Sequence, residues 1–169
     1  MYQVQDTVLY GSDGLCRIDE IVTKDFCGTP ADYYVLKPIH HESSTIYVPM
    51  KNETLVHKMR RILSEDDIYA LIQSMPDEEA VWIENEEERK ATYRETLSKG
   101  DRVGLIRMIK ALYTHEQQMR ETGKRLRAAD ERFFKDAEKL LYDEFALVLG
   151  IEPEQVLPFI QEQMQGKES

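Results

Sequence analysis

The chain has 169 residues and a mass of 19.8 kDa; 41% of its residues are hydrophobic and 32% are charged. This size suits one ordinary domain or two small ones, and the composition excludes a wholly disordered chain. For the chain taken whole, the formal charge of −10 and the sequence pI of about 4.9 argue against nucleic-acid binding.

No stretch of the sequence predicts a membrane span or a secretory signal. No apolar run approaches the ~20 residues that a membrane helix needs, and the first residues have neither a basic region nor an apolar core. The two cysteines, Cys16 and Cys27, form no C-x-x-C pattern, which favours reduced thiols. We therefore expect a soluble, cytoplasmic protein.

Residues 1–63 alternate short runs rich in Val, Ile, Tyr and Thr with turn residues, a pattern typical of small antiparallel β structure. Four or five short strands of this kind usually close into a small barrel, because closure removes exposed edges. The predicted strands are 8–10, 15–22, 33–38, 45–48 and a shorter one near 54–56, and the predicted turns are 11–14, 28–30 and 40–44.

Residues 64–169 instead carry apolar residues at helical spacing. Ser64 followed by three acids predicts an N-cap and the start of a connecting helix, 64–76, which Pro76 ends. Asp101 is predicted to cap a later helix, and Gly150 to end another. We therefore predict an α+β protein whose second half is a helical bundle. The remaining predicted helices are about 84–97, one capped by Asp101, about 128–149 and a last short one that starts after Pro153.

Although the net charge of the whole chain is negative, one segment of the sequence is basic. The formal charge is −1 over 1–63, −10 over 64–88, +6 over 89–139 and −5 over 140–169. If the basic residues of 89–139 share one face, they could neutralise several phosphates. The alternative is that they are solvated and form pairs with acids four residues away. They are Arg89, Lys90, Arg94, Lys99, Arg102, Arg107, Lys110, Arg120, Lys124, Arg125, Arg127, Arg132, Lys135 and Lys139.

The sequence offers no convincing catalytic or metal site. The four histidines, His40, His41, His57 and His115, lack a third ligand at metal spacing, and no glycine-rich phosphate loop is present. We therefore predict no enzyme activity, no cofactor, no metal and no small-molecule substrate.

Trp82, the single tryptophan, lies between two predicted helices in an acidic stretch. One interpretation is a packing residue between helices. The other is an exposed apolar wedge that enters the minor groove of distorted DNA, with Arg or Lys side chains holding the phosphates.

Two sets of residues, one in each half of the chain, are informative through their order. In the first half they are 5–10, 14–18, 32–37 and 46–49; in the second half they are Trp82, Arg89, Tyr93, Leu97, 98–101, 112–113 and 126–144. Together they resemble the CarD-like bacterial transcription regulators. The first half alone also resembles the Tudor-like barrel of the transcription-repair coupling helicase, but the second half lacks every helicase motif.

The resemblance implies a non-catalytic, nucleoid-associated regulator in two domains, 1–63 and 64–169. The first, a Tudor-like β-barrel, would dock on the β subunit of RNA polymerase. The second would contact promoter DNA, with a tryptophan wedge that stabilises the open promoter complex. The residues expected to contact DNA are Trp82, Arg89, Lys90, Arg94, Lys124, Arg125 and Arg127, and those expected to contact the polymerase are Lys24, Tyr47, Val48 and Pro49.

Two departures from the family pattern shape these expectations. Tyr47 stands where close relatives have an arginine that contacts the polymerase, and the stretch between Trp82 and Arg89 carries four carboxylates that would repel phosphate. We therefore expect weak DNA binding by the isolated protein, with the polymerase supplying effective concentration. The alternative function is a protein-interaction adaptor that tethers another protein to the polymerase without contacting DNA.

Overall fold

The structure is a computed structural model that describes residues 1–41 and 43–168. Glu42, within the turn predicted at 40–44, and Ser169 lie outside the described residues. The chain divides into two compact units, Met1–Ile62 and Leu63–Ser169, which we call the N-terminal unit and the helical unit. An antiparallel sheet followed by helices confirms the predicted α+β class.

The N-terminal unit is built on a five-stranded sheet with the order β4-β3-β2-β1-β5, in which every neighbouring pair is antiparallel. Its second strand is long and its register with β3 shifts between Ile18 and Glu20, an irregularity that lets a strand bend. Alternate residues form the core on one face, including Ile18, Leu36 and Val48. The strands are β1 Thr7–Tyr10, β2 Gly14–Lys24, β3 Ala31–Pro38, β4 Ile46–Pro49 and β5 Met59–Arg61.

The prediction of a strand near 54–56 is wrong. Glu53–Val56 is a short helix, α1, because the Asn52 side chain accepts a hydrogen bond from the backbone N–H of Leu55 and caps it. The fifth strand is Met59–Arg61 instead. The sequence pattern did not predict this strand because two of its three residues are arginines. Charged residues are common on edge strands and weaken the apolar pattern of a strand.

The helical unit begins at a buried carboxylate. Glu144 accepts hydrogen bonds from the Leu63 N–H at 2.9 Å and from Arg102 at 2.6 and 2.7 Å. Ser64 forms a capping box with Asp67, and Asp101 caps the helix after it at Gly104 N–H. The helices are α2 Glu65–Ser74, α3 Glu86–Lys99, α4 Arg102–Glu121, α5 Ala128–Leu149 and α6 Pro153–Glu168, with short 3-10 helices at Gly11–Asp13 and Met75–Asp77.

Two apolar clusters hold the helical unit together. One joins α2, α4, α5 and α6 around Phe145, which is fully buried. The other joins α3, α4 and α5 around Tyr93 and Leu112, and Trp82 packs against it. Because α4 and α5 contribute to both clusters, they form the frame on which α3 and the preceding segment 78–85 are placed.

Candidate nucleic-acid interface

Trp82 lies half-buried in the irregular segment before α3. Its ring stacks on His115 of α4, with centroids 3.6 Å apart and planes 6° from parallel. The guanidinium carbon of Arg89 lies 4.5 Å from the Trp82 ring centroid, within the range of a cation–π interaction. The indole is therefore held by α3 and α4, and only part of it remains accessible to a partner.

Arg89 is not placed to contact a phosphate, contrary to the sequence prediction. It is only 4% exposed, and its Nε and Nη2 donate to the two carboxylate oxygens of Asp130 at 2.9 and 3.0 Å. Its Nη1 donates to the carbonyl of Ile83 at 3.0 Å. This bidentate pair fixes α3 against α5 and fixes the backbone beside Trp82, so Arg89 positions the indole.

The segment that leads to Trp82 is tied to α4. The ammonium of Lys110 donates to the carbonyls of Met75 and Glu78, at 2.8 and 2.5 Å, and Arg107 pairs with the Glu78 carboxylate at 3.0 Å. Two cations of the basic segment, Lys110 and Arg107, therefore bind groups of this protein: Lys110 binds backbone carbonyls, and Arg107 binds a carboxylate. The next side chain before Trp82, Val81, projects into solvent.

Glu86, at the start of α3, forms ion pairs with two of the residues predicted to contact phosphate, Lys90 and Arg127. Its carboxylate lies 3.4 Å from Lys90 Nζ and 2.7 Å from Arg127 Nη1. The pKa of Glu86 is lowered, chiefly by the charge of Lys90 and further by that of Arg127. Lys90 and Arg127 therefore lie together, but an acid partly neutralises them.

Many of the other basic residues of 89–139 form ion pairs with acids four residues away on the same helix, as the alternative interpretation of the basic segment predicted. Among the described residues, Arg94, Lys124, Arg125 and Arg132 have no acidic partner. Three of these four were predicted to contact DNA. The exposed pairs are Lys99–Glu95, Arg120–Glu116, Lys135–Glu131 and Lys139–Asp143.

Three of these four cations lie on α3 or in the connection between α4 and α5; the fourth, Arg132, lies on α5. Arg94 lies one turn after Lys90 on α3, at i,i+4 spacing and thus on the same side of the helix. Lys124 and Arg125 are exposed in the connection between α4 and α5 that leads to Arg127. They line a depression that also contains Arg120 and the acids Glu116 and Glu131. The structure thus brings Lys90 and Arg127 together around Glu86, and places Lys124 and Arg125 in the connection next to them.

The second cluster also contains a buried hydroxyl. Tyr93 packs edge-on against Phe133, and its Oη has no hydrogen-bond partner among the described residues. Burial, with the nearby Asp130 carboxylate, raises the pKa of Tyr93 to about 12. The phenol is therefore neutral at physiological pH and acts as a packing group.

The predicted polymerase contacts of the N-terminal unit are divided by the sheet. Lys24 is exposed at the end of β2, Tyr47 is 41% exposed on β4, and Pro49 is half-buried. Val48 is wrong as a side-chain contact, because strand alternation turns it into the core, where it is 0% exposed. Lys24, Tyr47 and Pro49 remain candidates.

Three residues that matter for the geometry were not predicted from the sequence. They are Glu86, His115 and Asp130, which hold the basic pair, the indole and Arg89. The only signal for Asp130 is its position in the first turn of α5, where an acid is also explained by the helix dipole.

The structure shows no cluster of metal-ligand side chains in the parts of the chain it describes. No three His, Cys, Asp or Glu side chains of residues 1–41 and 43–168 come together as metal ligands would. Both cysteines are free thiols, and burial raises the pKa of Cys16 to about 12, as suits a core residue. None of the described helices combines the length and apolar character that crossing a membrane requires.

Two family models match the chain, and they match its two halves in order. The model of the CarD-like/TRCF RID domain matches residues 2–63. The model of the CarD C-terminal domain matches residues 67–161, more than half of the chain. The chain therefore belongs to the CarD-like family of non-catalytic transcription factors and is an RNA-polymerase-interacting regulator of transcription.

Proposed function

We propose that this protein binds the β subunit of RNA polymerase through its N-terminal unit and stabilises the open promoter complex through its helical unit. Trp82 is the wedge at the edge of the melted DNA. Lys90, Arg94, Lys124, Arg125 and Arg127 contact the flanking phosphates.

The observation that carries this proposal is the environment of Trp82. The indole is fixed by His115 and Arg89, yet it remains partly accessible, next to an exposed Val81. An apolar group that is already fixed loses little conformational entropy when it packs against an unstacked base step. This supports a wedge that is oriented before DNA arrives.

The mechanism follows from linkage. A ligand that binds the open complex more tightly than the closed complex shifts the population toward the open state. A differential of ~1.4 kcal/mol changes the ratio about tenfold. A wedge that fits only unstacked DNA has this preference, because a closed duplex offers it no gap.

The charge distribution supports polymerase tethering. Glu86 partly neutralises Lys90 and Arg127, and the segment 64–88 carries −10. Autonomous phosphate binding should therefore be weak, and a tether raises the local concentration of DNA without new contacts. A gel shift of the isolated protein at physiological salt should show no tight complex.

A photocrosslinking experiment separates this function from the adaptor alternative. p-Benzoylphenylalanine is placed at position 81, beside Trp82, and the protein is bound to a polymerase–promoter complex. We expect a crosslink to promoter DNA that weakens when Lys124→Gln and Arg125→Gln are combined. The matched control carries the same probe at position 147, where Leu147 is also exposed. A probe at 81 that labels only protein would support the adaptor.

A further inference from the structure

The outer face of the N-terminal sheet carries a cluster of three aromatic rings. Phe26 lies in the connection after β2, Tyr33 on β3 and Tyr47 on β4. The Phe26 ring centroid is 5.1 Å from those of Tyr33 and Tyr47, and the two tyrosines are 6.2 Å apart, all edge-to-face. This is the favoured geometry of aromatic pairs.

The strand register explains why the two tyrosines meet. Tyr47 lies directly opposite Val35 of β3, and Tyr33 is two residues from Val35, on the same face. The alternate residues Tyr34 and Val48 point to the core instead. The three rings therefore lie on the face of the sheet opposite Tyr34 and Val48, next to Val35, which is itself buried.

The cluster is open to solvent, since Phe26 is 56% and Tyr47 is 41% exposed. Single exposed apolar residues are ordinary on protein surfaces, but contiguous apolar patches mark interaction sites. Aromatic residues, tyrosine above all, are also enriched among the few residues that dominate interface energetics. The mutual ring contacts hold Phe26 in place although it lies in a loop, so the patch is formed before a partner binds.

We propose that Phe26, Tyr33 and Tyr47 form an apolar anchor that packs against uncharged side chains on the RNA polymerase β subunit. The proposal rests on the proposed function for the identity of the subunit. The RNA-polymerase-interacting family model covers residues 2–63 and thus all three rings, and Tyr47 is already a candidate contact. Phe26 and Tyr33 extend that contact to a patch without any charged group of its own.

The anchor has a measurable consequence for salt dependence. Contacts to phosphate weaken steeply as salt rises, whereas burial of apolar surface does not. The N-terminal unit should therefore hold the polymerase at ionic strengths that release the helical unit from DNA.

The test measures the dissociation constant of the full-length protein for core RNA polymerase from the source organism. It compares Phe26→Ala and Tyr47→Ala with Ile21→Ala, at ionic strengths of about 0.1 and about 1 M, where the Debye length falls from ~10 to ~3 Å. Ile21 is a matched control because it is 41% exposed, as Tyr47 is. It pairs with Tyr34 across the strands and therefore lies on the face of the sheet away from the aromatic cluster. A crosslinker that reacts with Lys24 identifies the polymerase subunit that lies nearby.

We expect Phe26→Ala and Tyr47→Ala each to weaken binding at least about tenfold at both ionic strengths, and Ile21→Ala to change it less than about twofold. If both variants behaved like Ile21→Ala, the anchor would be refuted while the proposed function stood. An effect of Phe26→Ala on self-association alone would also overturn it. A wild-type protein whose Lys24 crosslinks another subunit would contradict both the anchor and the assignment to β.

Discussion

At the scale of single residues, the buried pair of Arg89 and Asp130 connects stability to function. Both side chains are about 95% buried, and the guanidinium also contacts the Trp82 ring and the Ile83 carbonyl. Removing one partner of a buried ion pair leaves an uncompensated charge, which is much more costly than replacing both.

Asp130→Asn should therefore lower the unfolding free energy by roughly 3–5 kcal/mol. Arg89→Met combined with Asp130→Leu should be less destabilising than Asp130→Asn. Chemical denaturation monitored by the fluorescence of Trp82, the single tryptophan, measures both. Lys99→Gln, which breaks an exposed pair with Glu95, is the control and should cost less than about 1 kcal/mol. A loss as small as that of the control would show that the buried pair does not hold α3.

The buried hydroxyl of Tyr93 gives a prediction with a defined pH dependence. Since its Oη lacks a partner among the described residues, Tyr93→Phe should leave stability unchanged or raise it by up to ~2 kcal/mol at neutral pH. The pKa of Tyr93 is raised from 10.0 to about 12, so the folded state favours the neutral phenol. Below pH 10 this phenol is neutral in both the folded and the unfolded state, and the free energy of unfolding falls as the pH rises from 10 toward 12, because only the unfolded state loses its proton readily.

The difference in unfolding free energy between wild type and Tyr93→Phe should therefore shift against the wild type between pH 10 and pH 12. Denaturation curves at several alkaline pH values measure it, because the other tyrosines contribute equally to both proteins. A difference that stays constant with pH would contradict the assignment of the raised pKa.

Arg89 also shows why the site could be predicted only in part from the sequence. Asp130 is 41 residues away along the chain, so nothing local to α3 reveals that Arg89 points inward. Caps such as Ser64 and Asp101 are local, and the sequence located them correctly. Val48 failed for a related reason, because a resemblance carries a position over without the face of the strand to which it points.

At the scale of elements, the start of α3 places an acid beside two cations that we propose as phosphate contacts. Three acids follow the Asn85 cap, where they suit the helix dipole, and Glu86 binds Lys90 and Arg127. The carboxylate at the helix start thus partly neutralises two cations that are proposed to contact phosphate.

Glu86→Gln should therefore strengthen binding to duplex DNA and make its salt dependence steeper, by ~0.9 in log–log slope for each additional phosphate contact. Fluorescence anisotropy with the isolated protein at low ionic strength measures both quantities. Glu95→Gln is the matched control, because Glu95 lies on the opposite side of α3 from Glu86 and forms an ion pair with Lys99. Equal affinity and slope for the two variants would show that the pair around Glu86 does not lie at the DNA.

At the scale of the whole molecule, the proposed function gives the polymerase contact to the N-terminal unit and the phosphate contacts to the helical unit. The family match assigns polymerase interaction to residues 2–63, and the cations without acidic partners lie in the helical unit. If the proposed function holds, weak DNA contacts act only where the polymerase brings the protein, and the preference of Trp82 for unstacked DNA favours promoter opening.

The lifetime of the open promoter complex tests the central claim most directly. Complexes of polymerase and promoter are challenged with a competitor in the presence of wild type, Trp82→Ala or Trp82→Phe, after each variant is shown to be folded. We predict that the wild type prolongs the lifetime and that Trp82→Ala removes most of this effect. If the wedge favours the open complex by ~1.4 kcal/mol, the lifetime should fall about tenfold. Trp82→Phe should retain part of the effect. A folded Trp82→Ala protein that prolongs the lifetime as much as the wild type would contradict the account.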